Sequence, residues 1–447
     1  MQTSQKIAVV GSGLVGTLLA IYLKKLGHTV HVYDRSEDIR KVEFSGRSIN
    51  LVMSDRGWKT LEDIGLEDEI RKIGIPVDKR AIHTQDDKLN YQYYGKEGEA
   101  IFSLSRGVLN RRMIDLAEDA GVQFFFEHKI WDVTLATATL HIGETERGEW
   151  QELKYDKVFG ADGAFSRIRH RMQRQSMFDY SQEFMKLGYK ELHIPANADG
   201  THKIDKNSLH IWPRGNFMLM ALSNLDGTFT CTLFMPFVGE NSFEELKDEQ
   251  ALVKFFAKYF PDTKEVIPDL VKDFFKNPTS YLAKMKCYPW TFEDKVALIG
   301  DSAHAIVPFY GQGMNAGFED ISVLSEMIAK HGDDWKTIFL EYQEIRKPNA
   351  DAIAELAERN FTEMSSKTAD AKFLLQKKIE KWFSDKHPNL WIPLYSRVTF
   401  SLQPYTEALA VGDLQNKIME EIMLMENIEE KWNSEEVENK IIQLLGF

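Results

Sequence analysis

The chain has 447 residues, enough for one very large domain or two to three ordinary ones. Hydrophobic residues at 43% and charged residues at 28% are ordinary for a folded protein and argue against a disordered chain. The formal charge of -13 disfavours nucleic acid or an anionic membrane as the main partner, because both demand a clustered positive field. The only cysteines are Cys231 and Cys287, which excludes a disulfide framework and argues for reduced thiols in a cytoplasmic protein. No metal-ligand spacing stands out, so no metal site is expected. No signal peptide opens the chain, and no run of about 18 apolar residues suggests a transmembrane anchor.

In chain order, Ile7 to Val10 reads as a buried strand, Leu14 to Leu26 as a helix stopped by Gly27, and Val30 to Tyr33 as a second strand. Ser54 to Ile64 and Asp115 to Ala120 read as helices. Several short strands are expected over 122–160, with a polar turn at Gly143 to Gly148. From about Phe178 the strand-like runs Gly188 to Ile194, Ser208 to Pro213, Phe217 to Leu222 and Phe229 to Pro236 predict a mixed sheet, covered by helices near 243–276. Val296 to Gly300 returns to a buried strand, and residues from about 321 onward are mostly helical. The fold class is therefore α/β: a Rossmann-like domain with an inserted mixed-sheet domain and a C-terminal helical region. The expected division is 1–75, 101–177 and 285–330 for the first, 76–100 and 178–284 for the second, and 331–447 for the third.

Gly11, Gly13 and Gly16 form G-x-G-x-x-G between a strand and a helix. The first glycine permits a tight turn, the second lets a pyrophosphate approach the backbone, and the third packs helix on strand. The helix N-terminus, at Leu14 and Val15, offers unpaired N–H donors to phosphate. Asp34 ends the next strand, where a carboxylate accepts from ribose hydroxyls and repels a 2′-phosphate, so this site suits FAD or NAD. A second motif, G-A-D-G-A-F-S-R-I-R, places Asp162 between glycines after a strand. A third, A-L-I-G-D-S-A-H-A-I-V-P-F-Y-G-Q-G-M-N-A-G-F-E-D, puts Asp301 at a strand's C-terminal end. There Pro308, Gly311, Gln312 and Gly313 form a turn, and Met314 and Asn315 open a helix whose N–H groups can face an electron-rich ring such as an isoalloxazine.

These three motifs resemble those of the single-component, NAD(P)H-dependent flavoprotein aromatic hydroxylases of the p-hydroxybenzoate hydroxylase type. In that family the first motif binds the ADP part of FAD, the second contacts FAD and NADPH, and the third holds the ribityl chain and ring. Further segments resemble the kynurenine 3-monooxygenase branch: G-R-S-I-N-L, S-L-S-R, F-D-Y-S-Q, L-H-I-W-P-R, F-T-C-T-L-F-M-P-F and H-A-I-V-P-F-Y-G-Q-G-M-N-A-G-F-E-D, over roughly residues 6–405. The resemblance implies that Arg80 pairs with the carboxylate of an amino-acid substrate, L-kynurenine, with Tyr94, Asn360 and Tyr395 completing the clamp. Phe234 and Phe309 would wall the aniline ring. Tyr310 is a departure, since relatives vary between histidine and phenylalanine here. The implied cofactor contacts are Val15, Asp34, Arg35, Val52, Arg106, Asp301, Met314 and Asn315, with Arg47 a further one. Spacing alone leaves each clamp residue open to a second reading: a surface arginine, core tyrosines, a helix-face asparagine.

The activity implied is hydroxylation of L-kynurenine to 3-hydroxy-L-kynurenine by dioxygen, with NADPH or NADH reducing tightly bound FAD and a flavin hydroperoxide donating the oxygen. An aromatic amine is electron-rich, so no dedicated base is required, and His304 and His83 read as structural. Two alternatives stay open on the residues: a sister hydroxylase for another aromatic acid, and a non-catalytic FAD-fold binding protein, which the intact third motif disfavours. Eukaryotic relatives end in a membrane anchor. Here the tail from Gln415, with eight acidic and three basic residues, reads as an amphipathic helix that packs on the protein.

Overall fold

The computed structural model describes residues 3–42, 50–86, 88–95, 98–143, 148–366 and 370–446. Its first sheet has six strands in the order Thr291–Phe292, Val296–Leu298, Lys157–Gly160, Lys6–Val10, Thr29–Tyr33 and Gln123–Phe125. All neighbours are parallel except the first pair. The β-branched run at Lys6–Val10 is buried on both faces, as a central parallel strand requires. Helix Leu14–Lys25 connects it to Thr29–Tyr33, completing the expected β-α-β unit.

The register of this sheet decides where the site lies. Val10 sits beside Gly160, and Gly160 beside Leu298. The three motifs therefore leave the C-terminal ends of three adjacent parallel strands, although almost 300 residues separate the first from the last. In open α/β sheets ligands bind at that edge.

The second large sheet has seven strands: Ser280–Tyr288, Asp179–Ile194, Phe229–Pro236, Met218–Ser223, Ser208–Pro213, Lys79–His83 and Leu89–Tyr93. The last two form a hairpin whose first strand pairs in parallel with Ser208–Pro213. Side chains alternate along the central strands. Trp212, Leu219, Ala221, Cys231 and Leu233 face helices Glu249–Tyr259 and Leu270–Lys276. Leu209, Ile211, Met218, Leu222 and Phe234 face the other way, into a cluster with Val307, Phe309 and Ile353. Burial on both faces explains why these strands read as nearly continuous apolar runs.

The long strand Asp179–Ile194 changes register near Gly188, where a Cβ would lie 2.6 Å from the Phe237 ring and from the Ser280 carbonyl oxygen. Helix Arg106–Asp119 starts nine residues before the expected Asp115, behind Ser105. The expected polar turn at 143–148 lies largely outside the described residues.

Helices Gly313–His331 and Trp335–Ser366 follow, then Ala371–Lys386, Leu394–Thr399, Tyr405–Ile422 and Glu435–Leu444. Ile379, Phe383, Trp391, Met419, Val437 and Ile441 form a separate core, so the amphipathic tail is packed against its neighbours. Among the described residues no helix is long and apolar enough to cross a membrane. Between these helices, Tyr395 returns to the cavity described next.

Candidate active site

At the nucleotide end, the three glycines meet different demands. Gly11 has φ +111°, and a Cβ there would lie 2.2 Å from the Ala161 carbonyl oxygen. A Cβ on Gly16 would lie 2.1 Å from the Gly11 oxygen, so these two permit close backbone packing. Gly13 meets nothing within 4 Å: its face is open. It precedes helix Leu14–Lys25, which has no side-chain cap, and Gly13, Leu14 and Val15 line a large cavity. An uncapped helix N-terminus behind an open glycine fits a pyrophosphate.

Asp34 accepts from Ser12 N at 2.8 Å, Ser12 Oγ at 2.7 Å and Ser36 N at 2.8 Å, so its carboxylate braces the glycine turn from the next strand. Arg35 is exposed beside it and does not line the cavity. Arg47 lies outside the described residues. Arg106, at the start of its helix, lines the cavity, as does Val52.

Asp162 corrects a sequence expectation. Its carboxylate accepts from Ser166 Oγ at 2.5 Å, Arg167 N at 2.6 Å and Ser302 Oγ at 3.1 Å. It is spent on joining the second motif to the third, and the motif reaches the cavity through Gly163 instead. Asp301 behaves as expected of a ligand residue. It is exposed to the cavity, and no hydrogen bond to its carboxylate is present among the described residues.

Pro308–Tyr310 forms a tight turn closed by Gly311 at φ +68°. Helix Gly313–His331 begins there without a side-chain cap, and Pro308, Gly313 and Met314 line the cavity. Asn315 can meet the expectation through its backbone alone. Its side chain accepts from Ser54 N at 2.9 Å and donates to the carbonyls of Val52 at 2.8 Å and Gly311 at 2.9 Å. Only its backbone remains available at the helix N-terminus.

At the far end of the same cavity, Tyr395 is stacked between two other phenols, with Tyr94 at 5.0 Å and Tyr310 at 5.5 Å. The Arg80 guanidinium lies 4.6 Å from the Tyr395 ring centre and 5.4 Å from that of Tyr94. Arg80, Tyr310 and Tyr395 line the cavity. Among the described residues no acidic side chain forms an ion pair with Arg80. The Arg80 Nε is buried without a hydrogen-bond partner, and the buried Tyr94 hydroxyl, which faces Arg80 and Tyr395, makes no hydrogen bond of good geometry. Buried polar groups are normally paired, so orphans grouped at one spot fit an absent anionic ligand. Burial holds the Tyr94 and Tyr310 phenols well above their usual range, which leaves them neutral donors at physiological pH.

Three clamp and wall expectations change: Tyr94 does not itself line the cavity but stacks on Tyr395, which does. Asn360 does not line the cavity; its Nδ2 donates to the Phe309 carbonyl at 2.7 Å and thereby holds the turn that does. Phe234 stands behind Phe309, ring centres 5.1 Å apart, as a second layer. The histidines are engaged elsewhere: His304 Nε2 is 2.6 Å from Asp320, and His83 lies between Asp262 at 2.7 Å and His210 at 2.9 Å.

Sequence reasoning missed the apolar wall formed by Leu209, Met220, Leu222, Ile101, Ile306 and Met364. Strand alternation could have found the first three. It also missed Asn50, which lines the cavity and keeps a buried Oδ1 with no donor.

The cavity thus joins an open phosphate cradle to a cationic, phenol-ringed end through an apolar middle. The family described as FAD binding domain matches residues 4–357. Over 445 residues, the whole of both chains, the sequence is 75% identical to a kynurenine 3-monooxygenase of Flavobacterium johnsoniae. It is 42% identical to one of Dictyostelium discoideum, over 94% of this chain and 93% of that one. Among solved structures, the tetrameric form of 2-methyl-3-hydroxypyridine-5-carboxylic acid oxygenase superposes with a TM-score of 0.69. It has 18% identity and covers 83% of this chain and 94% of its own, a likeness of fold. The chain belongs to the FAD binding domain family and, within it, to the kynurenine 3-monooxygenases.

Proposed function

We propose that this enzyme hydroxylates L-kynurenine to 3-hydroxy-L-kynurenine, with NADPH or NADH as reductant and dioxygen as oxidant. The observation that carries the substrate assignment is Arg80, which makes no ion pair among the described residues, set beside the buried Tyr94 phenol at the end of a cavity that begins at the dinucleotide turn. FAD supplies the redox chemistry and the activation of dioxygen. The turn at Gly11–Gly16, Asp34, Arg106, Asp301 and the N-terminus at Gly313 and Met314 would hold it.

The remaining work falls to side chains. Arg80 pairs with the substrate carboxylate, and the Tyr94 and Tyr395 phenols donate to it; a carboxylate removed from water requires both. Leu209, Met220, Leu222 and Phe309 bound the aromatic ring and exclude water, which protects the activated oxygen from wasteful release as hydrogen peroxide. Among the described residues no histidine lines the cavity, and an electron-rich aniline needs no base in this reading. Residues 1–75, 101–177 and 285–330 form the FAD-binding unit in this reading. Residues 76–100 and 178–284 supply the substrate sheet. A cytoplasmic location and the absence of nucleic-acid partners complete it.

The test is NADPH oxidation by the FAD-loaded protein with and without L-kynurenine, with product analysis. Kynurenine-dependent oxidation yielding 3-hydroxykynurenine is the expected result. Stimulated oxidation yielding only hydrogen peroxide would assign the true substrate to another aromatic acid.

A further inference from the structure

A buried polar chain runs from the third motif to the C-terminal segment. His304 and Arg346 both contact Asp320: His304 Nε2 at 2.6 Å from one oxygen, Arg346 Nε donating to the other at 2.7 Å. Arg346 also pairs with Glu319 at 2.5 Å. Glu319 pairs in turn with Arg56, whose guanidinium donates to the Gln403 carbonyl and lies 3.9 Å from the Tyr405 ring centre. Two arginines balance two carboxylates, which is what lets four charges stay inside the protein.

Both walls of the flavin end hang on this chain. Asp320 accepts from Gly300 N at 2.9 Å, and Gly300 immediately precedes Asp301. At the other wall, Tyr405 Oη donates to Gln312 Oε1 at 2.9 Å. Gln312 is fully buried, contacts Ser54 Oγ at 3.3 Å, and directly precedes helix Gly313–His331. Its own carbonyl accepts from Ala316 N at 2.8 Å, so the residue touched by Tyr405 sets the first turn of that helix.

We infer that Tyr405 is a positioning residue for the flavin: its hydroxyl, acting through Gln312, fixes the N-terminus of helix Gly313–His331 against the isoalloxazine ring. This rests on the proposed placement of the ring at that N-terminus. A helix N-terminus carries partial positive charge and favours negative charge near it. Reduced flavin is the more electron-rich form. Freeing the N-terminus should therefore lower the midpoint potential of bound FAD and weaken its binding. The C-terminal segment, far from the nucleotide turn in sequence, thereby becomes part of the cofactor site.

The experiment uses the full-length holoenzyme and Tyr405→Phe. The substitution keeps the ring beneath Arg56 and removes only the bond to Gln312. Three readouts are taken: the FAD dissociation constant, the visible flavin spectrum and the midpoint potential. The expected result is FAD bound about 2- to 12-fold more weakly, the equivalent of one hydrogen bond of roughly 0.5–1.5 kcal/mol, with an altered spectrum and a more negative potential. A lower melting temperature with all three flavin readouts at wild type would make Tyr405 a structural brace only and overturn the inference.

Gly313→Asp tests the underlying placement separately. A Cβ there meets only Ile306, at 3.7 Å, and an acidic residue suits a first helical turn. The variant should fold and yet bind FAD poorly. If it retains wild-type affinity and potential, the ring lies elsewhere. If it loses affinity while Tyr405→Phe does not, only the inference about Tyr405 fails. Should Tyr405→Phe not fold, hydrogen exchange of the wild type decides: loading FAD should slow exchange at the start of helix Tyr405–Ile422. Unchanged exchange there would also overturn the inference.

Discussion

Replacing Arg80 by alanine removes the cation at the far end of the cavity and should be felt almost wholly in substrate binding. The guanidinium has its Nε buried, lies within about 5 Å of two aromatic rings and makes no ion pair among the described residues, Glu363 acting on it only from farther away. Its loss therefore strands the substrate carboxylate and breaks no ion pair within the protein. Truncating one partner of a buried hydrogen-bonded charge pair costs about 2–5 kcal/mol. Because Arg80 lines a cavity that water can enter, the lower part of that range applies, about 2–3 kcal/mol, or roughly 30- to 150-fold in Kd. The assay is titration of the oxidised holoenzyme with L-kynurenine, followed through the flavin absorbance. Decarboxylated kynurenine is the control, and wild type and variant should bind it alike. Arg80→Lys should recover part of the loss, since the charge returns without the planar fork. A Kd for L-kynurenine within threefold of wild type would remove Arg80 from the clamp and refute the reasoning.

Four further outcomes are expected. Gly16→Ala should destabilise the protein by about 3 kcal/mol, an overpacking cost, because its Cβ meets the Gly11 oxygen at 2.1 Å; Gly13→Asp should leave the melting temperature of the FAD-free protein nearly unchanged and abolish FAD retention, and retained FAD would displace the pyrophosphate from this turn. Asp301→Ala should weaken FAD binding by roughly 1.5–3 kcal/mol, the worth of a hydrogen bond to a charged group, and an unaltered FAD dissociation constant would count against a role in holding the cofactor. Burial lowers the His210 imidazole from 6.5 to about 4, so on acidification the unfolded chain takes up this proton first. The stability due to neutral His210 is complete above about pH 6.5 and declines towards pH 4, by up to roughly 3 kcal/mol. His210→Gln should flatten that limb, as seen in unfolding at pH 7.5 and pH 4.5; an equal acid loss in both proteins would contradict the assignment.

Much of the nucleotide half was legible without coordinates. The strand Lys6–Val10, its helix and Asp34 lie within thirty residues, and their signals are local: β-branched runs, helical apolar spacing, glycines where a backbone turns or is approached. The apolar runs Ser208–Pro213 and Phe229–Pro236 likewise announced a sheet. The three motifs were recognisable one by one for the same reason. Their adjacency was not, because it depends on the parallel register that sets Val10, Gly160 and Leu298 side by side.

The far end of the site was legible only in part. Resemblance pointed to Arg80 and Tyr395, and the cavity contains both; it pointed equally to Asn360, Phe234 and Asp162, which the packing turns to other partners. Nothing in the residue pattern distinguishes an asparagine that meets a ligand from one that holds the Phe309 carbonyl. The sequence by itself determined the elements, the phosphate turn and the class of cofactor, because backbone sterics and apolar periodicity act between near neighbours. Only the tertiary structure decided which side chains share the cavity and that Tyr395 returns to it, because contacts between residues hundreds of positions apart leave no period in the chain.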